Sequence, residues 1–111
     1  MQIDRDSTEY LFIGVTGEVP SVGAEVAFKT AAARPESGDW ETALLVEDSG
    51  DALWADAQAS GVTGDYFVAR LVGPFNSNDV VLTAGDYQVW LRLTDTTERP
   101  VRIAPAAVEV L

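Results

Sequence analysis

Asp86-Tyr87-Gln88-Val89-Trp90-Leu91-Arg92-Leu93-Thr94 is the stretch that decides the fold. Tyr87, Val89, Leu91 and Leu93 share one face, and Gln88, Trp90, Arg92 and Thr94 share the other. That alternation with a period of two is the mark of a half-buried β-strand. Ala84-Gly85-Asp86 reads as a tight turn into it, and Asp95 to Arg99 as the turn out of it.

Working outward, the same grammar repeats. Asp65 to Val72 is a strand, with Phe67, Ala69 and Leu71 inward and Tyr66, Val68 and Arg70 on the other face. Gly73-Pro74 ends it. Asn76 to Asp79 is a polar turn and Val80 to Leu82 a short apolar piece. Thr8 to Thr16 is a strand rich in β-branched and aromatic residues. Both of its faces are apolar: Tyr10, Phe12 and Gly14 on one, Leu11, Ile13 and Val15 on the other. Exposed apolar area of that size is rare in a monomer, so a loop or another chain is expected over one side. Ala24 to Thr30 alternates, with Val26 and Phe28 opposite Glu25, Ala27 and Lys29. Ala31 to Asp39 is a loop, Trp40 to Glu47 a further strand, and Ala52 to Ala59 fits either a strand carrying Trp54 or a helical turn, with strand preferred. Val101 to Ile103 and Ala107 to Val110 close the chain around Pro105, which marks an edge or a bulge. About seven short strands punctuated by turns predict an all-β fold, an immunoglobulin-like antiparallel β-sandwich. Residues 1–111 read as a single domain, since Pro and Gly are spread evenly and no repeat or composition shift divides them.

Composition narrows the chemistry. There is no histidine and no cysteine. Disulfides, thiolate–imidazole zinc sites and Ser-His-Asp or Cys-His nucleophile systems are therefore all excluded. No cofactor or metal is expected. Eighteen acids against seven bases leave a net charge of −11. Such a surface repels phosphate backbones and anionic headgroups, so neither nucleic acid nor membrane is expected as a partner. No apolar run approaches the ~18 residues of a membrane helix, and the polar start Met1-Gln2-Ile3-Asp4-Arg5-Asp6 has no signal-peptide core, which predicts a soluble chain made in the cytoplasm and not exported by the signal-peptide route.

Three groups of residues invite a chemical reading. Glu47, Asp48 and Asp51 hold enough carboxylate oxygen for calcium, but lack the ordered spacing of a calcium loop; a solvated turn in an acidic protein is the preferred reading. Carboxylate pairs such as Asp39 with Glu41, or Asp65 with Asp86, resemble a glycosidase dyad only in composition, and so acid-rich a chain produces such pairs by chance. Gly14, Gly17, Gly23, Gly61 and Gly64 lack phosphate-loop spacing and read as turn residues. No catalytic residue is assigned, and the chain is expected not to be an enzyme.

The strand quoted first carries the better candidate. Trp90 and Arg92 point away from the inferred core beside Gln88, and outward Trp and Arg are common interface anchors. Arg70 and Tyr66 on a neighbouring strand extend the same protein-interface patch. One competing reading makes this face the core and the Tyr87 face the outside, which would bury Arg92; another is that Trp90 packs under a loop.

Three segments carry a family resemblance. They are Ile3-Asp4-Arg5-Asp6-Ser7-Thr8-Glu9-Tyr10, then Ala69-Arg70-Leu71-Val72-Gly73-Pro74, then Leu82 to Asp95 running on to Glu98-Arg99-Pro100-Val101. Together they resemble small β-sandwich virion structural proteins of tailed phages of actinobacteria. The Gly-x-Tyr-x-Val strand and its Asp-containing turn are more distantly similar to the N-terminal sandwich of phage baseplate upper proteins. The likeness spans most of the chain and is weakest between Ala31 and Ser60. It carries no catalytic motif. It implies a virion location and protein partners: the major capsid protein, other virion subunits, or further copies of the chain. A head decoration or cement protein is the first expectation. A tail or baseplate component is the second. A carbohydrate-binding module on the virion surface, stacking sugars on Trp40, Trp54 or Trp90, is the third.

Overall fold

The structure is a computed structural model that describes residues 1–31 and 33–111. The expected loop from Ala31 to Asp39 is therefore described except at Ala32, which lies outside the described residues. The elements run β1 (Gln2–Ile3), β2 (Glu9–Val15), β3 (Gly23–Lys29), β4 (Glu41–Val46), α1 (Trp54–Ala59), β5 (Tyr66–Val72), β6 (Gly85–Thr94) and β7 (Val101–Val110). Single 3-10 turns stand at Ser37–Asp39 and Phe75–Ser77.

The seven strands form one sheet in the order β1-β7-β6-β3-β4-β5-β2. β4 changes partner half-way along. Glu41 to Ala43 pair with β3, and Leu44 to Val46 pair with β5. The sheet folds over at that strand, so its two halves face one another and β2 at one edge comes close to β7 at the other. β2 and β7 approach within 8 Å between Cα atoms without pairing, and the sheet is nearly a barrel. The sheet is mixed rather than wholly antiparallel, because Gln2 and Ile3 of β1 run parallel to Glu109 and Val110 of β7.

Two apolar clusters fill the molecule. The main one lies between the two halves of the sheet, with Ile13, Val26, Tyr66, Val68, Val89 and Val108 among its fully buried members. On β6 the face of Tyr87, Val89, Leu91 and Leu93 packs here, as alternation predicts. The second cluster lies outside the β2–β5 pair. Phe12, Phe67, Ala69 and Val46 are roofed there by Ala57, Leu53 and Trp54. The doubly apolar β2 is thus covered by this chain's own α1 segment.

That arrangement corrects two expectations. Ala52 to Ala59 is not a strand, for Trp54–Ala59 is helix. Its alternating pattern suits either structure, and so short a helix is not stable by propensity alone. Tertiary contacts hold it: Trp54 meets Phe67 edge-on at 4.9 Å, and Ala57 is fully buried. The Asp51 carboxylate accepts the Leu53 amide at 2.8 Å just ahead of it. The second correction concerns β5. Its main-core residues are Tyr66, Val68 and Val72, while Phe67 and Ala69 face α1. Both faces of β5 are apolar, so alternation does not tell inside from outside.

Val80 to Leu82, the short apolar piece, buries Val80 in the main core without forming a strand. Two smaller features differ as well. Val101–Val110 is continuous through Pro105. Gln88 pairs with Ala107 and Trp90 with Ile103, so β7 carries extra residues there and Pro105 sits in a bulge. Gly14 and Gly23 lie inside strands, not turns. At Gly14 a Cβ would stand 1.9 Å from the Thr63 carbonyl oxygen, so the loop ahead of β5 presses directly on that backbone.

Candidate functional site

The outer face of β3, β6 and β7 is where sequence places the interface, and three ladder rows build it. Lys29 and Gln88 sit side by side in the first. Ala27, Trp90 and Ile103 form the second, and Glu25, Arg92 and Val101 the third. The period of two brings alternate residues of each strand to this surface.

Trp90 is only 7% exposed. The Arg34 guanidinium, from the β3–β4 connection, lies 5.2 Å from its ring centroid. Its Nε1 is buried and has no hydrogen-bond partner among the described residues. Trp90 therefore packs under a loop, and it buries Ala27 beside it completely.

Arg92 is held from two sides. Its Nε and Nη2 donate to Glu25 Oε1 at 3.0 and 2.8 Å. Its guanidinium also stacks 4.5 Å from the centroid of the Trp40 ring. Glu25 Oε1 further receives Arg99 Nη2 at 3.3 Å. One carboxylate thus anchors two guanidinium groups, which leaves Arg92 rigid and mostly covered. Lys29 Nζ meets Asp39 Oδ2 at 2.9 Å. The Glu36 amide, and after it the Lys29 ammonium, hold the Asp39 carboxyl below the ordinary value of 3.8.

Beside this rigid array stand two open apolar side chains. Val101 is 44% exposed and Ile103 is 52% exposed. Alternation around Arg102 marks them as sharing a face, but sequence offers no sign that the face stays uncovered. Glu25 and Arg34 are members that sequence reasoning passes over, and Trp40, which it offers only as a sugar-stacking ring, is another. Glu25 and Trp40 are recognisable only once β3 is aligned with β6.

The structure brings Trp90, Arg92 and Gln88 together and separates them from the remaining two. Tyr66 is buried in the main core, so it is unavailable to a partner. Burial raises its hydroxyl above the ordinary value of 10.0; the Asp95 charge adds to the rise and Arg102 opposes it. Arg70 lies on the same face of β5, near where the sheet folds over. Its Nη1 donates to the Thr42 carbonyl at 2.9 Å and its Nη2 to Asn78 Oδ1 at 3.4 Å.

The acidic turn is locally occupied. Asp48 Oδ1 accepts the Gly50 amide and Asp51 Oδ1 the Leu53 amide, both at 2.8 Å. Among the described residues no three acidic side chains are grouped as metal ligands. Nor does any helix of the described residues have the length and apolarity to cross a membrane. The tryptophan rings are largely engaged: Trp54 by Phe67, Trp40 by Arg92 and Trp90 by Arg34. No family model, no curated protein and no solved structure matches this chain.

Proposed function

We propose that this chain is a non-enzymatic structural subunit of a phage virion, built as an immunoglobulin-like β-sandwich and bound to the head as a decoration or cement protein. Its strand order supports the sandwich. β3-β6-β7 take the places of strands C, F and G, and β2-β5-β4 those of B, E and D. β1, parallel to β7, takes the place of a first strand that has crossed to the second sheet.

The observation that carries a binding role is the pair Val101 and Ile103, exposed beside a preorganised Arg92–Glu25–Arg99 array. Open apolar side chains next to fixed polar groups form a contact surface that loses little side-chain entropy on docking. Trp90 then acts from beside Ile103, packed under Arg34 and fixing the row they share, rather than as the anchor itself. The major capsid protein is the expected partner. Contacts repeated over a shell need only modest individual affinity, because neighbouring contacts reinforce one another. The net charge of −11 keeps free subunits apart before assembly.

The test is incorporation into particles. Ile103→Glu puts a charge on the surface without touching the core and is expected to abolish incorporation while the purified chain stays folded. Normal incorporation of that variant refutes the face. Copy number relative to the portal places the subunit: far more copies than portal subunits means head, and a number like the portal's moves it to the tail.

A further inference from the structure

We propose that the Phe75 turn is a knob that seats in the open seam between β2 and β7 of a second copy of this chain, pairing two copies about a twofold axis. This goes beyond the virion reading and stands without it.

The knob is built to protrude. Phe75 is 73% exposed, the most open large apolar side chain among the described residues. One exposed Phe is ordinary by itself; the backbone around this one is not. Asn76 and Ser77 both take left-handed conformations, with φ of 59° and 58°. Neighbours hold that strained geometry in place. Asn78 Nδ2 donates to the carbonyls of Leu71 and Gly73 at 2.9 Å and of Val80 at 3.2 Å. The Phe75 amide donates to Thr8 Oγ1 at 2.9 Å. Gly73, at φ +129°, lets this turn lie directly on Ser7 and Thr8. An aromatic ring held out on a stapled turn gives up little entropy when it binds.

The hole is the place where the barrel fails to close. β2 and β7 come within 8 Å and do not pair. Adding a strand between them needs about 4.8 Å on each side, so the seam is too narrow for a guest strand. It does admit a side chain. A crevice of about 350 Å³ opens there, walled by Tyr10, Phe12, Val62, Pro105 and Ala106. A shallower continuation of about 290 Å³ runs on past Gly14 and Thr63.

Charge points to a second copy as the occupant. Each chain carries −11, so two copies repel wherever their carboxylates face one another. No residue from Leu71 to Asn78 is ionisable, and no Asp, Glu, Lys or Arg side chain lines the crevice. Knob and hole are thus surfaces on which two copies meet without apposed carboxylates. They also adjoin along β2, since Phe75 is bonded to Thr8 and the crevice starts at Tyr10 and runs on to Gly14. A twofold axis between the knob and the mouth of the crevice at Tyr10 lets each copy fill the other's crevice, giving a closed dimer rather than an open chain.

Sedimentation equilibrium of the full chain over a concentration series, at low and high salt, tests this. The expected result is a dimer that tightens as salt screens the repulsion between copies. Phe75→Ser and Pro105→Glu change exposed positions, and each is expected to weaken the dimer at least about tenfold with the thermal midpoint unchanged. Mixing the two variants pairs an intact knob with an intact crevice, so the mixture dimerises more tightly than either variant alone. If Pro105→Glu lowers the midpoint, Phe75→Ser alone decides. A wild-type chain that stays monomeric to millimolar concentration overturns the proposal. So do growth beyond the dimer, a dimer weakened by salt, and a dimer indifferent to Phe75→Ser.

Discussion

Replacing Trp54 by Ala removes the side chain that lays α1 over the β2–β5 pair. Burial of a whole Trp is worth about 3–5 kcal/mol against Ala. Trp54 is half-buried, and its edge-on contact with Phe67 at 4.9 Å is part of the same loss, so about 2.5 kcal/mol is expected here. Unfolding entropy near the midpoint is about 2.1 cal/mol/K per residue, or ~0.23 kcal/mol/K for 111 residues. The midpoint of thermal unfolding should therefore fall by about 10 °C. Hydrogen exchange should also show amides from 54 to 60 opening well before those of β3 and β6, because only the smaller Leu53 and Ala57 are then left to hold α1 on the sheet. Trp54→Phe should recover roughly half of the loss, since a smaller ring still reaches Phe67. A midpoint unchanged within a degree or two for Trp54→Ala, with native protection across α1, refutes the assignment of α1 as the cover of β2.

Other consequences are as direct. Gly14→Ala forces a Cβ onto the Thr63 carbonyl, 1.9 Å away, and should cost about 2 kcal/mol or more in urea unfolding. Gly23→Ala, also in a strand but with open space around it, should be within about 1 kcal/mol of wild type. A double-mutant cycle on Glu25→Gln and Arg92→Met should give a coupling of about 1 kcal/mol, since both groups keep some solvent contact; zero coupling would show that the pair is ornamental. The Asp39 and Asp95 carboxyls are held below their ordinary values, by backbone amides of Glu36 and Ser21 above all. Their contribution to stability is therefore present above about pH 4 and lost as pH falls through the lowered folded values. Tyr66 works in the opposite direction. Its raised hydroxyl contributes nothing against ionisation below the ordinary value of 10.0, and unfolding should become steadily easier as pH climbs past it.

Much of the fold is legible in the alternation of particular residues. Tyr87, Val89, Leu91 and Leu93 share the core-facing side of β6 for the reason visible in their spacing. Pro105 announces a bulge because a residue with no amide proton cannot complete a ladder. Legibility stops where both faces of a strand are apolar. Phe67 and Val68 look alike as inward residues, yet one sits under α1 and the other in the main core. It stops again at Ala52 to Ala59, where intrinsic preference is weak and the Phe12–Phe67 surface selects helix. Among candidate site residues, Trp90, Arg92 and Gln88 share a face because they are neighbours on one strand. Tyr66 and Arg70 do not join them, because which way β5 turns depends on strands far away in sequence.

By itself, then, the sequence determined a mostly β chain of short strands, a strongly acidic surface, and the absence of imidazole and thiol chemistry. These are local or additive properties: a period of two, a sum of charges, a count of residue types. Only the tertiary structure decided that β4 is shared between β3 and β5, that α1 roofs β2, and that Trp90 lies beneath Arg34 while Val101 and Ile103 stay open. Those outcomes depend on pairings between residues tens of positions apart, such as Glu25 with Arg92. Loop-closure entropy and the packing of the whole core select such pairings together, and no window of sequence contains both partners.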